Sequence, residues 1–588
     1  MNVAKWIVCS IVLLAGCAQQ ERPQEDLSVK RVMDSLVTRI YAQWDTRLIS
    51  VLDENLLLKF LSPEERMALE TNYWRFHVDV PVVVSLMRDS AQASIPFWLV
   101  ESGFKKTDYR VRNEMYHYEV WQKEFPAGEV GLGINGFDRH RPVYFLSVAP
   151  QVRGEQVHIT PIFPEKQAIT VLDTGAFVYH DWDELVLTEV PDALRGQQLL
   201  PTIRGRAREA HLIDAFRRTE FPSTEVPDQV VLTLPEDGNR GMTIQWRCAP
   251  EVARGWLKYW KQGTTDTVRC EVEGVLQEDR LLRNDRYVRR FRVSLDALQP
   301  GTSYQYCVGY GDVRGETAAF STPEAVDKFS FTWFGDIHND SLWGKLAAHA
   351  AADHPQTNFY VSVGDVVNTG LHRDNWDALF GYSGKLFAEK PFMAVPGNHD
   401  SQDGLGAGMF RDELSYPANG PAGQSPGFTY AFRYRHALFL MIDIVTFSAA
   451  QQADWIESQL SNSDATWKFV VFHFPPYTPE EPYLDIVNNW VPLFDRYNVD
   501  MVMNGHFHYY LRTLPMKDGK PVKEGEPGTR YVMSIGTEND EGAPAPSYAA
   551  KEFKAGYLYQ YVQLDGSHLT FECVDSAGTV RDRFELTK

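Results

Sequence analysis

The amino-acid sequence predicts a multidomain protein in which a β-sandwich is followed by a layered α/β domain and preceded by an additional α+β or mostly-β domain. Three observations support this fold class. A chain of 588 residues is too long for one hydrophobic core. Residues 226–323 contain short strands with period-two alternation, which is typical of an antiparallel sandwich. Residues 326–588 alternate helical segments with runs that are apolar on both faces, which is typical of sheets covered by helices.

Composition and charge restrict the classes of partner. Hydrophobic residues make up 44% of the chain and aromatic residues 13%, which is enough to fill large cores. The 58 basic and 78 acidic residues give a net charge of −20. This balance argues against non-specific binding to nucleic acid or to anionic membranes, which needs clustered Lys and Arg. It does not exclude a phosphorylated substrate, because bound metal ions can reverse the sign of the local field.

The first 26 residues indicate export and lipid anchoring. The apolar run over residues 6–14 is too short to span a membrane but fits a signal peptide over residues 1–16. Leu14-Ala15-Gly16-Cys17 resembles the bacterial lipobox, in which the cysteine is acylated and becomes the mature N-terminus. We therefore expect a lipid on Cys17 to attach the protein to a bacterial membrane, the outer membrane on its periplasmic or cell-surface face, through a polar tether over residues 17–26. The alternative is an ordinary signal peptide with a chance cysteine.

Residues 27–222 form the predicted N-terminal domain, for which the sequence indicates no role. A helical periodicity runs from Leu27 to about Trp44, and Ser62-Pro63-Glu64-Glu65 is typical of a capped helix start. After Tyr73 the pattern becomes strand-like. Among the histidines of this domain, His140, His158 and His180 lie far apart, without the spacing of metal ligands.

Residues 226–323 contain the strands of the predicted sandwich. Apolar and polar residues alternate over 242–247, 291–295 and 304–310, and a Pro-Gly turn precedes the last of these segments. Export permits disulfides. Three of the four cysteines that follow residue 17 fall in this domain, so at least one of them is unpaired within it; the four are Cys248, Cys270, Cys307 and Cys573.

Residues 326–588 contain six apolar runs, and five of them lead directly into clusters of Asp, Asn or His. The carboxyl ends of strands meet at one rim of an α/β sheet, so we expect these clusters to lie close together. Glycine next to a ligand lets the backbone approach an ion closely, and D-x-H and H-x-H spacings direct both side chains to the same side of an extended segment. The clusters are Gly335-Asp336-Ile337-His338, Gly364-Asp365, Gly397-Asn398-His399-Asp400, His473 and Gly505-His506-Phe507-His508.

The side-chain types in these clusters predict a dinuclear metal site. Carboxylate, amide oxygen and imidazole suit Fe, Mn or Zn, as two divalent or mixed-valence ions, and no thiolate is among them. Seven ligands exceed what one ion would use if a coordination position is to remain open, so two ions that share a carboxylate are the natural solution. The candidate metal ligands are Asp336, His338, Asp365, Asn398, His473, His506 and His508.

The order of these motifs resembles that of the calcineurin-like metallophosphoesterases, over about residues 326–588. Within that superfamily the sequence looks most similar to purple acid phosphatases. Residues 298–306 resemble the end of the fibronectin type III-like domain that precedes their catalytic domain. Further similar features are His473-Phe-Pro475-Pro-Tyr477, His506-x-His508-x-Tyr510-x-Arg512 and the ending Gly556-Tyr557 … Gly578-Thr-Val580-Arg-Asp582-Arg-Phe584.

The resemblance implies a role for each candidate residue. His399 matches the histidine that donates a proton and contacts the phosphate, and is the expected catalytic residue. One metal ion would be held by Asp336, His338, Asp365 and His508, and the other by Asp365, Asn398, His473 and His506, with Asp365 bridging the two.

Three departures separate this chain from the purple enzymes. Asn368 occupies the position of the tyrosine that ligates Fe(III) and gives the colour. His338 replaces a glycine and is expected to supply the missing ligand, as in the wider superfamily. No histidine occurs in residues 478–483, where the purple enzymes carry histidines. We therefore expect no tyrosinate-to-iron colour, and neither iron nor an acidic pH optimum is implied.

The expected function is hydrolysis of small phosphate monoesters outside the cytoplasm. The expected mechanism is in-line attack on phosphorus by a metal-bound hydroxide, with His399 protonating the departing alkoxide. Two alternatives remain open. One is a phosphodiesterase of the same fold, because the motifs do not determine how many ester bonds the substrate has. The other is a surface adhesin or glycan-binding lipoprotein whose enzyme domain is not catalytic.

Overall fold

The computed structural model describes residues 27–43, 46–165, 167–179, 185–401, 406–479, 483–538 and 545–588. The signal peptide and tether expected over residues 1–26 lie outside these ranges, as does His180. No helix within the described ranges is long and apolar enough to cross a membrane.

The N-terminal part combines short helices with two antiparallel sheets. Its helices are α1 (Val29–Gln43), α2 (Glu54–Lys59), α3 (Pro63–Thr71) and α4 (Phe97–Glu101), with 3-10 turns at Thr46–Val51 and Arg204–Ala210. Its strands are β1 (Trp74–Val78), β2 (Val82–Asp89), β3 (Lys105–Asn113), β4 (His117–Phe125), β5 (Gly128–Leu132), β6 (Phe145–Pro150), β7 (Ile159–Phe163), β8 (Thr170–Val171), β9 (Leu187–Glu189) and β10 (Gln198–Leu200). The sheets have the strand orders β5-β1-β7 and β8-β10-β6-β2-β4-β3-β9.

Both predicted helical features of this part are confirmed. Ser62 Oγ accepts from the Glu65 N–H (3.2 Å) while the Glu65 carboxylate accepts from the Ser62 N–H (2.9 Å), so α3 begins with a complete capping box. The buried side chains of α1 recur every three or four residues, so one stripe of the helix faces the core: Val29, Val32, Met33, Leu36, Val37 and Ile40.

The predicted sandwich is confirmed as two antiparallel sheets. Its strands are β11 (Asp228–Thr233), β12 (Met242–Cys248), β13 (Arg254–Lys261), β14 (Thr267–Glu273), β15 (Val275–Glu278), β16 (Tyr287–Leu295), β17 (Ser303–Tyr310), β18 (Val313–Arg314) and β19 (Ala318–Ser321). One sheet has the order β11-β12-β16-β15, and the other has the order β14-β13-β17-β18 with β19 also paired to β17. Trp246 stacks on Phe291 in the core (5.2 Å between centroids). Among the described residues, four cysteines are free thiols: Cys248, Cys270, Cys307 and Cys573.

The C-terminal part is the predicted layered α/β domain. Its helices are α5 (Ser341–Asp353), α6 (Arg373–Ser383), α7 (Leu386–Glu389), α8 (Asn398–Ser401), α9 (Gly408–Glu413), α10 (Ala449–Ser461), α11 (Leu484–Asn489) and α12 (Val491–Arg496). Its strands are β20 (Lys328–Phe334), β21 (Phe359–Ser362), β22 (Phe392–Ala394), β23 (Tyr430–Tyr434), β24 (Ala437–Met441), β25 (Trp467–Val471), β26 (Met501–Asn504), β27 (Tyr510–Thr513), β28 (Met516–Lys517), β29 (Lys520–Pro521), β30 (Arg530–Met533), β31 (Ala549–Phe553), β32 (Leu558–Asp565), β33 (His568–Asp575) and β34 (Val580–Thr587).

Two mixed sheets of this domain pack face to face. Their strand orders are β22-β21-β20-β32-β33-β34 and β23-β24-β25-β26-β30-β27-β31, and β28 pairs with β29 separately. Phe331 of the first sheet contacts Phe439 (5.2 Å) and Phe469 (5.4 Å) of the second in edge-to-face geometry. The parallel strands β20, β21, β25 and β26 lie near the middle of the two sheets, which brings their carboxyl ends to one rim.

A buried ion-pair network joins the sandwich to the α/β domain. Arg247 of β12 donates to Asp377 of α6 (2.6 Å) and to Asp228 (2.6 Å), and Arg373 of α6 pairs with Asp285 (3.0 Å). The side chains of Arg247 and Asp377 are at most 1% exposed. Separating the domains would leave buried charges without partners, so this network favours one docking geometry.

Candidate metal centre

The structure brings all the predicted site residues to one rim. β20, β21 and β22 lead into the site from one sheet, and β25 and β26 lead into it from the other. The first sheet delivers Asp336, His338, Asp365, Asn398 and His399, and the second delivers His473, His506 and His508. Within each of three groups the candidate ligand atoms lie no more than 4.8 Å apart: Asp336 with His338 and His508, Asp365 with His473 and His506, and His338 with Asp365 and His399.

Three of these residues adopt left-handed backbone conformations. The φ angles are 51° at His338, 46° at Asp365 and 81° at His506. This region is unfavourable for residues with a Cβ and is concentrated at functional sites. The backbone N–H of His338 donates to the carbonyl of Asp365 (2.9 Å), so two of the strained turns support each other.

Glycines permit close approach of the backbone to the acidic ligands. A Cβ at Gly397 would lie 2.1 Å from Oδ1 of Asp365, and a Cβ at Gly505 would lie 2.1 Å from Oδ1 of Asp336. A side chain at either position would therefore displace a carboxylate from the centre of the site.

The first group matches part of the ligand set expected for one ion. His508 Nε2 lies 3.4 Å from Oδ2 of Asp336, and His338 Nε2 lies 3.9 Å from Oδ2 of both Asp336 and Asp365. Asp336 is fully buried, and its Oδ1 accepts from the His506 N–H (3.0 Å). The carboxylate thus holds the backbone of the Gly505–His508 turn and keeps its other oxygen toward the two imidazoles.

The second group surrounds Asp365 and Asn398. His473 Nε2 lies 3.2 Å from Oδ2 of Asp365 and 3.0 Å from Oδ1 of Asn398, and His506 Nδ1 lies 3.1 Å from the same amide oxygen. His473 Nδ1 lies 3.1 Å from the carbonyl of Val363, to which it can donate. That contact orients the ring and leaves Nε2 toward the site, as in many histidine metal ligands.

Burial and charge set the protonation of the imidazoles. Burial lowers the pKa of His338 to about 4, and burial together with His473 lowers the pKa of His506 to about 3. Burial also opposes protonation of His473, but the Asp365 carboxylate outweighs it and raises the pKa of His473 to about 9. His473 in turn holds the pKa of Asp365 well below its ordinary value, although burial raises it. At neutral pH, the imidazoles of His338 and His506 are therefore uncharged and the Asp365 carboxyl is ionised, which are the protonation states that metal binding requires.

These residues fit a dinuclear metal centre. Within the described part of the chain, both ring nitrogens of His338 are buried without a hydrogen-bond partner, which is rare for a buried polar group unless a ligand or ion is missing. Asp365 lies next to imidazoles of both groups, as a bridging carboxylate must. The oxygen and nitrogen donors suit Fe, Mn or Zn.

His399 is held beside the two groups. Its backbone N–H donates to Oδ1 of Asp365 (2.8 Å), and its Nδ1 lies 2.8 Å from the carbonyl of Asn368. Its ring lies edge-on to His338, with 4.6 Å between centroids. Asn368 thus contributes its backbone carbonyl, which accepts a hydrogen bond from Nδ1 of His399.

Asp400 is a positioning residue whose role the sequence pattern did not predict. It is 1% exposed, and its carboxylate accepts from the N–H groups of Val366 (3.1 Å), Val367 (3.0 Å) and Gly397 (2.9 Å). It therefore ties the loop that carries Asp365 to the loop that carries Asn398. The available signal was its place in Gly397-Asn398-His399-Asp400, directly after two site residues.

We expect Asp400→Ala to lower the free energy of unfolding by about 3 kcal/mol, because three buried N–H groups lose their acceptor. Urea unfolding in the presence of a chelator measures this loss without the contribution of bound metal. Asp400→Asn, which keeps the size and one acceptor oxygen, is the matched control and should lose less. A loss below about 1 kcal/mol for the alanine variant would contradict the structural role of Asp400.

Family models and relatives agree with this architecture. Residues 329–510 match the model described as calcineurin-like phosphoesterase, and residues 227–323 match the model described as purple acid phosphatase, N-terminal domain. An uncharacterized protein of Mycobacterium tuberculosis is 24% identical over 313 residues, which is 45% of this chain and 58% of the relative. Purple acid phosphatase 1 of Ipomoea batatas is 23% identical over 361 residues, which is 55% of this chain and 75% of the relative. The chain thus spans little more than half the length of the mycobacterial relative.

A solved structure shares the fold over most of the chain. A purple acid phosphatase from yellow lupin (Lupinus luteus) seeds superposes with a TM-score of 0.54 and 14% identity, covering 88% of this chain and 91% of the lupin chain. The fold class and the resemblance expected from the sequence are therefore confirmed. The chain carries a calcineurin-like phosphoesterase domain preceded by a purple acid phosphatase N-terminal domain.

Proposed function

We propose that this protein is an exported, metal-dependent phosphoesterase that hydrolyses small phosphate monoesters. The observation that supports it best is the convergence of two groups of metal-ligand atoms on Asp365, with His399 beside them. The family models that match the two C-terminal domains favour the same chemistry.

Two metal ions at this site would supply Lewis-acid activation of water and would neutralise charge on the phosphoryl oxygens. Asp336, His338 and His508 would hold one ion, Asn398, His473 and His506 would hold the other, and Asp365 would contact both. The buried contact of His473 Nδ1 with the Val363 carbonyl keeps its ligating nitrogen in place.

His399 is the general acid in this proposal. With Nδ1–H bonded to the Asn368 carbonyl (2.8 Å), a protonated His399 can donate from Nε2 to the departing alkoxide. The same contact orients the ring. The hydrogen bond from the His399 N–H to Asp365 couples the position of the acid to the bridging carboxylate.

The reaction is tested by comparing p-nitrophenyl phosphate with bis(p-nitrophenyl) phosphate on the purified, metal-loaded protein. We expect kcat/KM to be at least about tenfold higher for the monoester, a difference of 1.36 kcal/mol in barrier height. The reverse order would establish a phosphodiesterase, and no activity on either ester with Fe, Mn or Zn would contradict the proposal.

We expect two metal ions per chain and loss of activity on chelation, with no visible absorption from a tyrosinate–iron bond. The reason is that the ligands form two groups around Asp365, while Asn368 stands where the tyrosine would be. Elemental analysis and a visible spectrum check both points, and readdition of each metal in turn identifies the active ion. A single ion per chain, or a purple protein, would contradict this expectation.

We also propose that the protein is anchored to a bacterial membrane through a lipid on Cys17. The support is the match of Leu14-Ala15-Gly16-Cys17 to the lipobox. We expect the wild-type protein in the membrane fraction and the Cys17→Ser variant in the soluble fraction, with mass spectrometry reporting acylation. Cys9→Ser, which changes a cysteine of the expected signal peptide, is the control and should remain acylated.

A further inference from the structure

A large cleft lies between the three structural parts. Its volume is about 1310 Å³, and none of the seven candidate metal ligands lines it. Its walls come from α1 of the N-terminal part, β15 and β16 of the sandwich, and α9 of the α/β domain. Clefts between domains are a common place for ligands, and this volume exceeds the range of about 300–1,000 Å³ usual for small-molecule sites.

The floor of the cleft carries polar atoms that have no hydrogen-bond partner in the ranges described above. Nε and Nη1 of Arg290, Nε2 of Gln245 and Oε1 of Gln277 are all buried in this state. The three residues are 7%, 3% and 8% exposed, respectively. Buried polar groups are almost always bonded to protein or to a ligand, so an unpaired guanidinium edge beside an unpaired amide indicates a site for an acceptor group.

The strand register directs these donors to one face of the sheet. Arg290 and Arg292 are two residues apart on β16, and Gln245 of β12 lies directly opposite Arg292. Nη2 of Arg290 contacts Gln229 and Glu413, which leaves its other nitrogens available. Arg292 is exposed, with Asp412 as a nearby negative charge. The face therefore offers two guanidinium groups and one amide to an anion.

Other acidic residues on the walls do not neutralise these two arginines. Five of them form ion pairs with other arginines: Asp34 with Arg280, Glu209 with Arg206, Glu273 with Arg254, Glu278 with Arg286 and Asp279 with Arg217. Glu413 pairs with Arg290 and Asp412 lies near Arg292, so what the floor offers a ligand is the set of hydrogen-bond donors on Arg290, Arg292 and Gln245.

The rim of the cleft is apolar. Val275 is 72% exposed, Leu276 is 49% exposed and Phe163 is 42% exposed, and all three line the cleft. The buried side chain of Leu281 also lines the cleft. Exposed apolar side chains that gather at one concave surface mark a binding site rather than ordinary surface.

We propose that this cleft binds a long-chain organic anion. The anionic head accepts hydrogen bonds from Arg290, Arg292 and Gln245, and the apolar chain lies between β15 and the β7 end at Phe163. A carboxylate and a phosphoryl head share the acceptor geometry that guanidinium groups recognise. The ligand class is therefore defined by an anionic head of either kind and an apolar chain.

Calorimetric titration of the metal-loaded protein with decanoate and with decylphosphonate tests this assignment. We expect saturable one-to-one binding of at least one of them, and the tighter of the two identifies the head group. Decyl glucoside, which has the same chain and no charge, should bind at least about tenfold more weakly. Equal affinity for the glucoside, or no binding of either anion at millimolar concentration, would overturn the proposal.

Variants locate the binding in the cleft. Arg292→Gln and Leu276→Asp change exposed side chains, so both should fold, and each should raise the dissociation constant of the anion at least about tenfold. Arg314→Gln changes an exposed arginine elsewhere in the same sandwich and should leave binding unchanged. The proposal is overturned if all three variants bind the anion with the same dissociation constant, because the binding would then lie outside this cleft. Because the readout is heat of binding, the result does not depend on catalytic activity.

Discussion

Replacing Asp365 with alanine is expected to remove both metal ions and to lower kcat/KM for a phosphate monoester by about 10³-fold or more. Asp365 faces His473 at 3.2 Å and His338 at 3.9 Å, so it is the carboxylate that both groups share. Losing one partner of a buried ion pair costs about 3–5 kcal/mol. That cost concerns folding stability; the 10³-fold loss in kcat/KM is a separate loss of about 4 kcal/mol of transition-state stabilisation, at about 1.36 kcal/mol per tenfold. Elemental analysis and steady-state kinetics measure both consequences.

The variant Asp365→Asn removes the negative charge of the side chain but keeps its volume, so it separates the two effects of the alanine substitution. The amide keeps the volume and one oxygen that can accept from the His399 N–H, which lies 2.8 Å from the carboxylate in the native protein. We expect this variant to fold like the wild type, by circular dichroism, and still to lose metal. Retention of two ions by the alanine variant would contradict the bridging role of Asp365.

His399→Asn is expected to keep both ions and to lower kcat by about 10²–10⁴-fold, the usual contribution of general acid catalysis. The loss should depend on the leaving group. An alkyl phosphate departs as a strongly basic alkoxide that needs a proton, whereas nitrophenolate is a weak base that barely needs one. The variant should therefore be much slower on β-glycerophosphate and less affected on p-nitrophenyl phosphate.

Metal content distinguishes the catalytic role of His399 from a ligand role. The ring also lies in a group with His338 and Asp365, so geometry alone admits a contact with an ion. Asparagine can still donate to the Asn368 carbonyl that holds Nδ1, which keeps the local structure. His338→Asn is the matched control. It should lose an ion, and its kcat should fall by the same factor on both substrates. The same behaviour in His399→Asn would contradict its role as the general acid.

Local patterns predicted much of the framework because the interactions behind them are local. The stripe of α1 and the capping box of α3 arise from contacts within one or two helical turns, and both are confirmed. Runs apolar on both faces predicted the buried parallel strands of the α/β domain, and period-two alternation predicted the sandwich. For the N-terminal part, the sequence indicated helices followed by strands but not their division into two sheets.

The sequence predicted which residues form the candidate site but only some of the contacts between them. The seven candidate ligands and His399 were visible because each follows an apolar strand, and the structure brings all of them together. The roles of the Asn368 carbonyl and of Asp400 were not visible, because they depend on how neighbouring loops approach one another. A backbone acceptor has no sequence signature, since every residue carries the same carbonyl group.

The sequence by itself determined the donor types of the metal centre and the strands that deliver them, because both follow from side-chain chemistry and short-range periodicity. Only the tertiary structure decided that Arg247 meets Asp377, 130 residues away along the chain, and that Arg290, Arg292 and Gln245 face a cleft between three structural parts. The physical reason is that domain docking depends on the shape and charge of two complete folded surfaces. Those surfaces exist only after distant segments have packed, so no local pattern encodes the contacts between them.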